Sequence, residues 1–469
     1  MREISTVELR RAGRAVPPEF SITTKTGEVI QFLQPFRILP KKRITGKATV
    51  NGETVLVKLF ISKRGRIHCR RELRGLILLK NAGIPTPEIK GCIDLASGGK
   101  VLIIKFLEQS ETLRKKIQIS DKNGKVWFAS EAARLTGKMH NAGIIHGDLH
   151  TGNFLSNGEH LWMIDGDAVK TTFLRKPAHN QKAIANLSSL LFLLSAAWSE
   201  AHQKVMESYL QENPSIRLSP EKVWHTAKIL RRNLYEKHIK KSFRSSAGYS
   251  VQKTFFKFTS TRRDASGILQ PVLKNPDEFI ENGFRLKTGG SSTVAQFDCV
   301  GQQLVIKRYN LKNRRHAFLR FWRPSRAWNA WKAGQLLQLE SLNTPAPVAL
   351  IEERFWIFRR HAWIINEFCA GKTLQETLDP QQEPASELKA ALLNLFDTLH
   401  TEKISHGDMK ATNLIWNAEK LFLIDLDVMK WHRSGFMYKK KWAQDRVRFL
   451  QNWPPESSLY RWLDANLPE

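Results

Sequence analysis

Cysteine is scarce in this chain. Its four cysteines, Cys69, Cys92, Cys299 and Cys369, are spread along the sequence and form no C-x-x-C pair. Neither a disulfide framework nor a cysteine-rich zinc site is expected, and the pattern fits a reducing compartment. Long apolar runs are missing too. The longest, Leu187 to Trp198, is broken by Ser188, Ser189 and Ser195. A bilayer span needs about 20 apolar residues, so a buried core helix is expected there instead. The opening Met1-Arg2-Glu3-Ile4-Ser5 leads into charged sequence without an apolar h-region, so no secretory signal is expected. Acidic residues are in deficit: 44 Asp+Glu face 74 Lys+Arg, a formal charge of +30. That surplus favours an anionic partner (nucleic acid, an acidic membrane face or a phosphate-bearing substrate) and says nothing about fold. What is present is an ordinary globular composition, 42% apolar and 25% charged, in 469 residues. Such a length suggests about two or three domains.

The chain repeats itself. Ile145-His146-Gly147-Asp148-Leu149-His150-Thr151-Gly152-Asn153-Phe154 has a counterpart 260 residues on, Ser405-His406-Gly407-Asp408-Met409-Lys410-Ala411-Thr412-Asn413-Leu414. At the same spacing Ile164-Asp165-Gly166-Asp167 matches Ile424-Asp425-Leu426-Asp427, Pro85-Thr86-Pro87 matches Pro345-Ala346-Pro347, and Met139-His140 matches Leu399-His400. One constant offset this long implies two copies of one domain rather than a solenoid. Each copy opens with strand-like segments, Thr54 to Phe60 and Leu304 to Tyr309. A helix follows in each, around Arg71 to Asn81 and Ala327 to Leu339. Then come a second strand, Val101 to Phe106 and Trp363 to Phe368, and a second helix, Ala129 to Asn141 and Leu388 to His400. Residues 1–240 are assigned to the first copy and 278–469 to the second. Residues 241–277, rich in Ser, Lys, Arg and Thr, are expected to form an exposed connector, within which Phe255-Phe256-Lys257-Phe258 is the stretch able to pack on a domain.

Phosphoryl transfer needs a carboxylate to orient the attacking hydroxyl, oxygen ligands for Mg²⁺, and cations on the nucleotide phosphates. Asp148 and Asp408 are candidates for the first role. Asn153 and Asn413, five residues later, have the Asp-to-Asn spacing of a kinase catalytic loop, and Asp165 and Asp425 follow a short apolar strand where a metal-binding Asp belongs. Lys58 and Lys307 sit on strands resembling V-A-I-K, whose lysine holds the α/β-phosphates. Glu72, on the following helix, is a partner for Lys58. Gly289, Gly290 and Ser291 precede the Lys307 strand and can form a phosphate-covering loop. His146 and His406 are expected to be structural, His140, His150 and His400 non-catalytic, and the Lys439-Lys440-Lys441 run with Arg446 and Arg448 a solvated face.

These motifs resemble the aminoglycoside-phosphotransferase-like branch of the protein-kinase fold. Within it the chain is similar to the lipopolysaccharide kinase family, which phosphorylates heptose or Kdo sugars of the bacterial inner core. Gly-Ile-Pro-Thr-Pro at 83–87, Ser325-Arg326-Ala327-Trp328 and the two H-G-D-x-x-x-x-N loops carry the match, over roughly residues 30–240 and 280–450. The resemblance implies an α+β architecture of two tandem kinase-like domains. Their β-rich N-lobes would span about 30–105 and 278–366, and their helical C-lobes about 106–240 and 367–469. It implies ATP and Mg²⁺ as cofactors and a sugar hydroxyl as acceptor. Position by position, Asp148 and Asp408 become bases, Asn153, Asp165, Asn413 and Asp425 metal ligands, and Lys58, Glu72 and Lys307 nucleotide-site residues.

The copies depart from the pattern in different ways. The first has one glycine, Gly46, where a glycine-rich loop belongs, although Lys41, Lys42 and Arg43 are there to meet phosphate. The second has no acidic residue between Lys307 and Glu340, and the offset places Lys332 opposite Glu72. Asn186 in the first copy stands one residue off the position of Asp445, where kinase folds brace the catalytic loop. The expected function is phosphorylation of an anionic glycolipid at the cytoplasmic face of the inner membrane. A protein Ser/Thr kinase is the alternative, weakened by H-G-D in place of H-R-D and by the lack of an A-P-E stretch. A further alternative is a regulatory protein with one or both copies inactive. No nucleic-acid-binding signature accompanies the fourteen Trp.

Overall fold

The computed structural model describes residues 2–172, 180–191, 199–310, 324–355, 358–417 and 419–469. The apolar run is described only as far as residue 191, within a helix; residues 192–198 lie outside the described residues. The chain divides into two compact units, Met1–Arg231 and Arg232–Glu469.

The first unit begins with helix α1 (Thr6–Ala12), started by a Ser5–Glu8 capping box. Four strands follow: β1 (Phe20–Thr23), β2 (Val29–Leu39), β3 (Arg43–Val50) and β4 (Glu53–Phe60). Then come helix α2 (Gly65–Asn81) and strands β5 (Ile89–Asp94) and β6 (Lys100–Lys105). The strands form one antiparallel sheet in the order β1-β2-β3-β4-β6-β5. Along β3 buried residues alternate with half-buried ones, as period-2 patterning requires of a sheet with one covered face. That face buries Phe20, Ile22, Ile30, Val57 and Leu59, with Phe20 and Phe32 stacked 4.6 Å apart. Each such side chain contributes about 1.5–3 kcal/mol. The sheet therefore starts at Phe20, about ten residues before the expected start of the lobe. Cys69 on α2 and Cys92 on β5 meet as free thiols, their sulfurs 3.1 Å apart.

Past β6 the unit is mainly helical, with short strand pairs between the first two of its long helices: α3 (Lys122–Asn141), α4 (Asn180–Leu191), α5 (Ser199–Glu212) and α6 (Pro220–Lys241), inside which the division of the chain falls. Asp121 caps α3, accepting from Gly124 N at 2.8 Å. Ala133, Leu187, Val205, Tyr209 and Val223 form the helical core.

The second unit runs through β7 (Tyr249–Lys253), β8 (Lys257–Arg262), β9 (Phe284–Thr288), β10 (Ser292–Cys299), β11 (Gln302–Tyr309), helix α7 (Arg326–Leu339), β12 (Pro347–Phe355) and β13 (Phe358–Glu367). Helices α8 (Ser386–Thr401) and α9 (Gly435–Leu450) follow. Its sheet order is β7-β8-β12-β13-β11-β10-β9. The two sheets share a five-strand pattern, β2-β3-β4-β6-β5 and β9-β10-β11-β13-β12. The first extends it with β1 beside β2, the second with β7 and β8 beside β12, at the opposite edge.

Residues 241–277 are thus not an exposed connector. They supply β7, β8 and two short helices, Gln270–Lys274 and Pro276–Glu281. Composition misleads because Thr259, Ser260 and Thr261 read as loop residues but are buried on β8. There Ser260 donates to Ser242 O and Phe258 packs 5.0 Å from Trp328. Among the described residues no helix is long and apolar enough to cross a membrane.

Candidate active site

In the first unit Lys58 lies on β4 between Val57 and Leu59, and Glu72 lies on α2; both are buried. The Lys58 ammonium pairs with the Glu72 carboxylate and also donates to Ile164 O at 3.2 Å. Glu72 further accepts from Arg43 Nη1 at 3.3 Å and from Gly166 N at 3.2 Å. Two cations and a backbone N–H thus satisfy a fully buried carboxylate. Burial pushes the Glu72 carboxyl up, against the pull of Lys58. Burial also acts on Asp165, but Lys58 and Arg43 outweigh it and hold that carboxyl below its usual range. The arrangement depends on close packing. A Cβ on Gly75 of α2 would stand 2.0 Å from Gly166 O, and one on Gly166 2.3 Å from Glu72 O. Only glycine lets the helix and the Ile164–Asp167 segment approach this far.

The catalytic-type loop is tied to the same segment. His146 Nε2 donates to Asp165 O at 3.0 Å, and its Nδ1 accepts from Asp148 N at 3.2 Å. These bonds fix a neutral imidazole, and burial lowers its pKa. Asn186 on α4 braces the loop, accepting from His146 N at 3.1 Å and donating to His146 O at 2.7 Å. Asn153 O accepts from Ile164 N at 2.9 Å, so Asn153 and Asp165 lie on adjoining backbone. The Asn153 side-chain oxygen accepts from His150 N at 3.0 Å; a second lone pair remains on it. The Asp148 side chain is exposed, with no ion pair among the described residues.

The second unit repeats the backbone and changes the pairing. Ile424 N donates to Asn413 O at 2.9 Å, and His406 Nε2 donates to Ile424 O at 2.9 Å. Asp445 on α9 takes the bracing place, accepting from His406 N at 2.6 Å and Gly407 N at 2.8 Å. Asn413 Nδ2 donates to Asp408 O at 2.8 Å. No glutamate exists on α7, and Lys307 pairs directly with Asp425. Burial raises the Asp425 pKa, but Lys307 reverses this and leaves it low. Asp425 has φ 60° and ψ 55°, left-handed backbone that a non-glycine residue adopts at some cost. Asp408 sits between Arg448 Nη2 at 2.6 Å and Lys410 Nζ at 3.2 Å. Gly289, Gly290 and Ser291 form the turn from β9 to β10. The Gly289 and Ser291 carbonyls accept from Asn310 Nδ2 at 3.2 Å and Arg326 Nη1 at 3.4 Å. Neither glycine has positive φ. In the first unit the corresponding hairpin turn is Pro40-Lys41-Lys42, between β2 and β3.

Among the described residues no cluster of three or more His, Cys, Asp or Glu could hold a metal. A site here would take one carboxylate and one amide oxygen, the hard donors that Mg²⁺ accepts alongside phosphate and water. Asp165 with Asn153 fits that demand, since Asp165 stays ionised. Asp425 with Asn413 fits it only once Asp425 leaves Lys307.

The family model for the lipopolysaccharide kinase (Kdo/WaaP) family matches residues 53–209 and 274–451, well over half of the sequence. The chain belongs to that family. Among curated proteins it is similar to a probable serine/threonine-protein kinase, YbdM of Bacillus subtilis, 30% identical over 97 residues, 20% of this chain and 37% of the relative. It is also similar to the KEOPS complex subunit Bud32 of Pyrococcus abyssi, 25% identical over 136 residues, 29% of this chain and 57% of the relative. The chain thus spans between a third and about half of the length of these relatives. Among solved structures, WaaP in complex with acyl carrier protein aligns with TM-score 0.32 at 21% identity, covering 44% of this chain and 87% of that one. The fold is α+β and kinase-like, a β-rich lobe followed by helices, as expected for this family.

Several pairings at these sites could not be read from any motif. Arg71 on α2 pairs with Asp167 at 2.8 Å, and Arg326 on α7 pairs with Asp427. In each unit the helix gives an arginine to the second Asp of I-D-x-D. Arg326 also lies 5.0 Å over the Tyr309 ring. Arg448 lies on an exposed face, as expected, and from there also reaches Asp408. Periodicity along α9 could have placed it near Asp445 three residues before, but not on Asp408.

Proposed function

We propose that this chain is an ATP- and Mg²⁺-dependent phosphotransferase acting on a sugar hydroxyl, heptose or Kdo, of the lipopolysaccharide inner core. In this reading the chain holds two tandem kinase-like domains, the first of which carries the chemistry. The observation behind it is the buried Lys58–Glu72 pair, joined by hydrogen bonds to the Asp165 segment and, through His146, to an Asp148 that is open to an acceptor. Lys58 binds the nucleotide phosphates. Asp148 orients the acceptor hydroxyl and takes its proton as the phosphoryl group leaves ATP. Asp165 and Asn153 would hold Mg²⁺, which when bound neutralises charge on the transferring phosphate. Glu72 keeps the Lys58 ammonium in place, and His146 keeps the loop carrying Asp148 against the Ile164–Asp167 segment. The net charge of +30 suits an anionic glycolipid gathered at the cytoplasmic face of the inner membrane.

The second unit reads as a companion without turnover of its own. Its Asp408 is held by an arginine that does not deprotonate, and its Asp425 is taken by Lys307. The test uses the full chain with ATP, Mg²⁺ and dephosphorylated core lipopolysaccharide, with phosphate gain read by glycan mass spectrometry. Asp148→Asn lowers transfer by about 10²–10⁴-fold, the range of a lost general base; Asp408→Asn leaves it within about threefold. The reverse result moves the chemistry to the second unit. Phosphate on protein rather than glycan favours the protein-kinase reading.

A further inference from the structure

In the second unit, α7, residues 429–437 and residues 232–243 enclose a cavity of about 850 Å³. It is separate from the Lys307–Asp425 pair. Its apolar lining is buried or half-buried: Phe243, Trp328, Leu336, Met429 and Trp431. Its lining is also cationic, with exposed Lys240, Lys430 and Arg433 and half-buried Lys332 and Lys441. A single carboxylate, Glu236, is among the lining residues, and it is already engaged by Arg433 at 2.8 Å and Arg232 at 3.4 Å. Among the described residues Lys240, Lys430 and Lys441 have no acidic partner within 4 Å. The positive field registers on His432, whose protonated form is disfavoured by burial and then by Lys430.

Next to this cavity the first turn of α9 exposes Phe436 (80%) and Met437 (53%), followed at once by Lys439, Lys440 and Lys441. Exposed aromatic and thioether side chains gain nothing from water. Beside a lysine run they have the composition of a segment seated at the boundary between lipid headgroups and acyl chains.

We propose that this surface is a docking site for an anionic membrane lipid, its phosphate among the lysines and the start of its acyl chain over Trp328, Leu336 and Met429, with Phe436 entering the interface. An acidic peptide would satisfy the lysines and leave Phe436 and Met437 in water; a lipid satisfies both. The cavity also touches α7, which carries Arg326, and the segment that follows Asp427. Lipid there would bear on the Arg326–Asp427 pair. The proposal deepens the membrane-surface part of the functional reading above, but its test does not depend on turnover.

The full chain is floated with phosphatidylcholine vesicles, with and without phosphatidylglycerol. Binding to the anionic vesicles exceeds binding to neutral ones by tenfold or more (~1 kcal/mol per basic residue near the surface) and falls with salt. Lys430→Glu and Lys441→Glu each lower it about fivefold or more on the same arithmetic. Phe436→Ser, which removes the apolar ring without changing charge, lowers it at unchanged salt dependence. Unchanged urea midpoints show that the variants are folded. A soluble short-chain phosphatidic acid protects backbone amides of residues 328–336 and 429–441 from hydrogen exchange, while inorganic phosphate at the same concentration does not. Equal binding to neutral vesicles, wild-type binding by all three variants, or equal protection by inorganic phosphate overturns the proposal. Vesicle binding that persists in a preparation without phosphotransfer upholds it and counts against the catalytic reading alone. Normal transfer to soluble core sugar without vesicle binding does the opposite.

Discussion

The helix after the lysine strand is where the two units differ most. In the first, Gly75 on α2 and Gly166 in I-D-G-D lie against each other, so the helix comes close enough for Glu72 to reach Lys58. In the second, the offset puts Gln335 and Leu426 at those places, both buried, and Lys332 at the place of Glu72. Lys307 there neutralises the nearest carboxylate, that of Asp425. A buried ammonium needs a partner, and whichever carboxylate supplies it determines what is left for other ligands. In the first unit a helix residue serves, which leaves Asp165 available. In the second the I-D-x-D aspartate itself is consumed. The same contrast holds at the loop carboxylates: Asp148 is open, and Asp408 is enclosed by Arg448 and Lys410.

The largest effect beyond Asp148 itself is expected at Gly166. Gly166→Ala places a methyl 2.3 Å from Glu72 O. Helix and segment must separate, taking Glu72 off Lys58 and shifting Asp165. We expect transfer to fall about 100-fold and stability by about 1–3 kcal/mol, the range for overpacking. Leu426→Ala, at the same place in the second unit, leaves transfer within about threefold, although it costs about 2–5 kcal/mol of stability. If the two substitutions reduce turnover equally, the contrast between the units fails. Glu72→Gln is milder, because the amide keeps the shape and loses only the charge. A drop of about tenfold in kcat, with a rise in KM for ATP, sharpens the assignment of Glu72 as a positioning residue. Rescue by Glu72→Asp would fit that role. An unchanged KM would place the nucleotide elsewhere.

What the sequence could and could not announce follows from the range of the interactions. The strands bearing Lys58 and Lys307, the helices α3 and α8 and the two loops are set by patterning and spacing within a few tens of residues, and they could be located in advance. Helix α2 starts six residues before the expected Arg71 because Arg64 gives no side-chain cap to mark it. Strand β8 was hidden because its ladder partner β12 lies about a hundred residues on, and β7 because it is held only through β8. Arg71–Asp167, Arg326–Asp427 and Arg448–Asp408 each join side chains that only the folded chain brings together. The exchange of a Lys–Glu pair for a Lys–Asp pair was half visible: the missing glutamate could be read, the substitute could not.

The smallest effect concerns two histidines at the same place in each copy. His140 Nδ1 meets Tyr209 Oη at 2.8 Å and its Nε2 meets Asn186 at 3.1 Å; His400 Nδ1 meets Tyr438 Oη at 3.0 Å. His140 is fully buried, and burial lowers its pKa from 6.5 to about 4. His400 is only half-buried, and its shift has the same direction and cause. A histidine whose pKa is lower in the folded chain binds its proton more readily when unfolded. Its stabilisation is therefore complete above pH 6.5 and is lost as pH falls toward 4. For His140 the loss reaches about 2 kcal/mol at pH 5, about a 30-fold rise in opening. Hydrogen exchange by mass spectrometry on the full chain at pH 7 and 5, corrected for intrinsic rates, should show residues 122–141 and 199–212 opening more than residues 386–401. Replacing His140 by Gln, which cannot be protonated, should remove most of that difference. Equal acid loosening of both segments in the unaltered chain would mean that the twin histidines share one environment after all, and the depth at which each copy buries its histidine would no longer separate them.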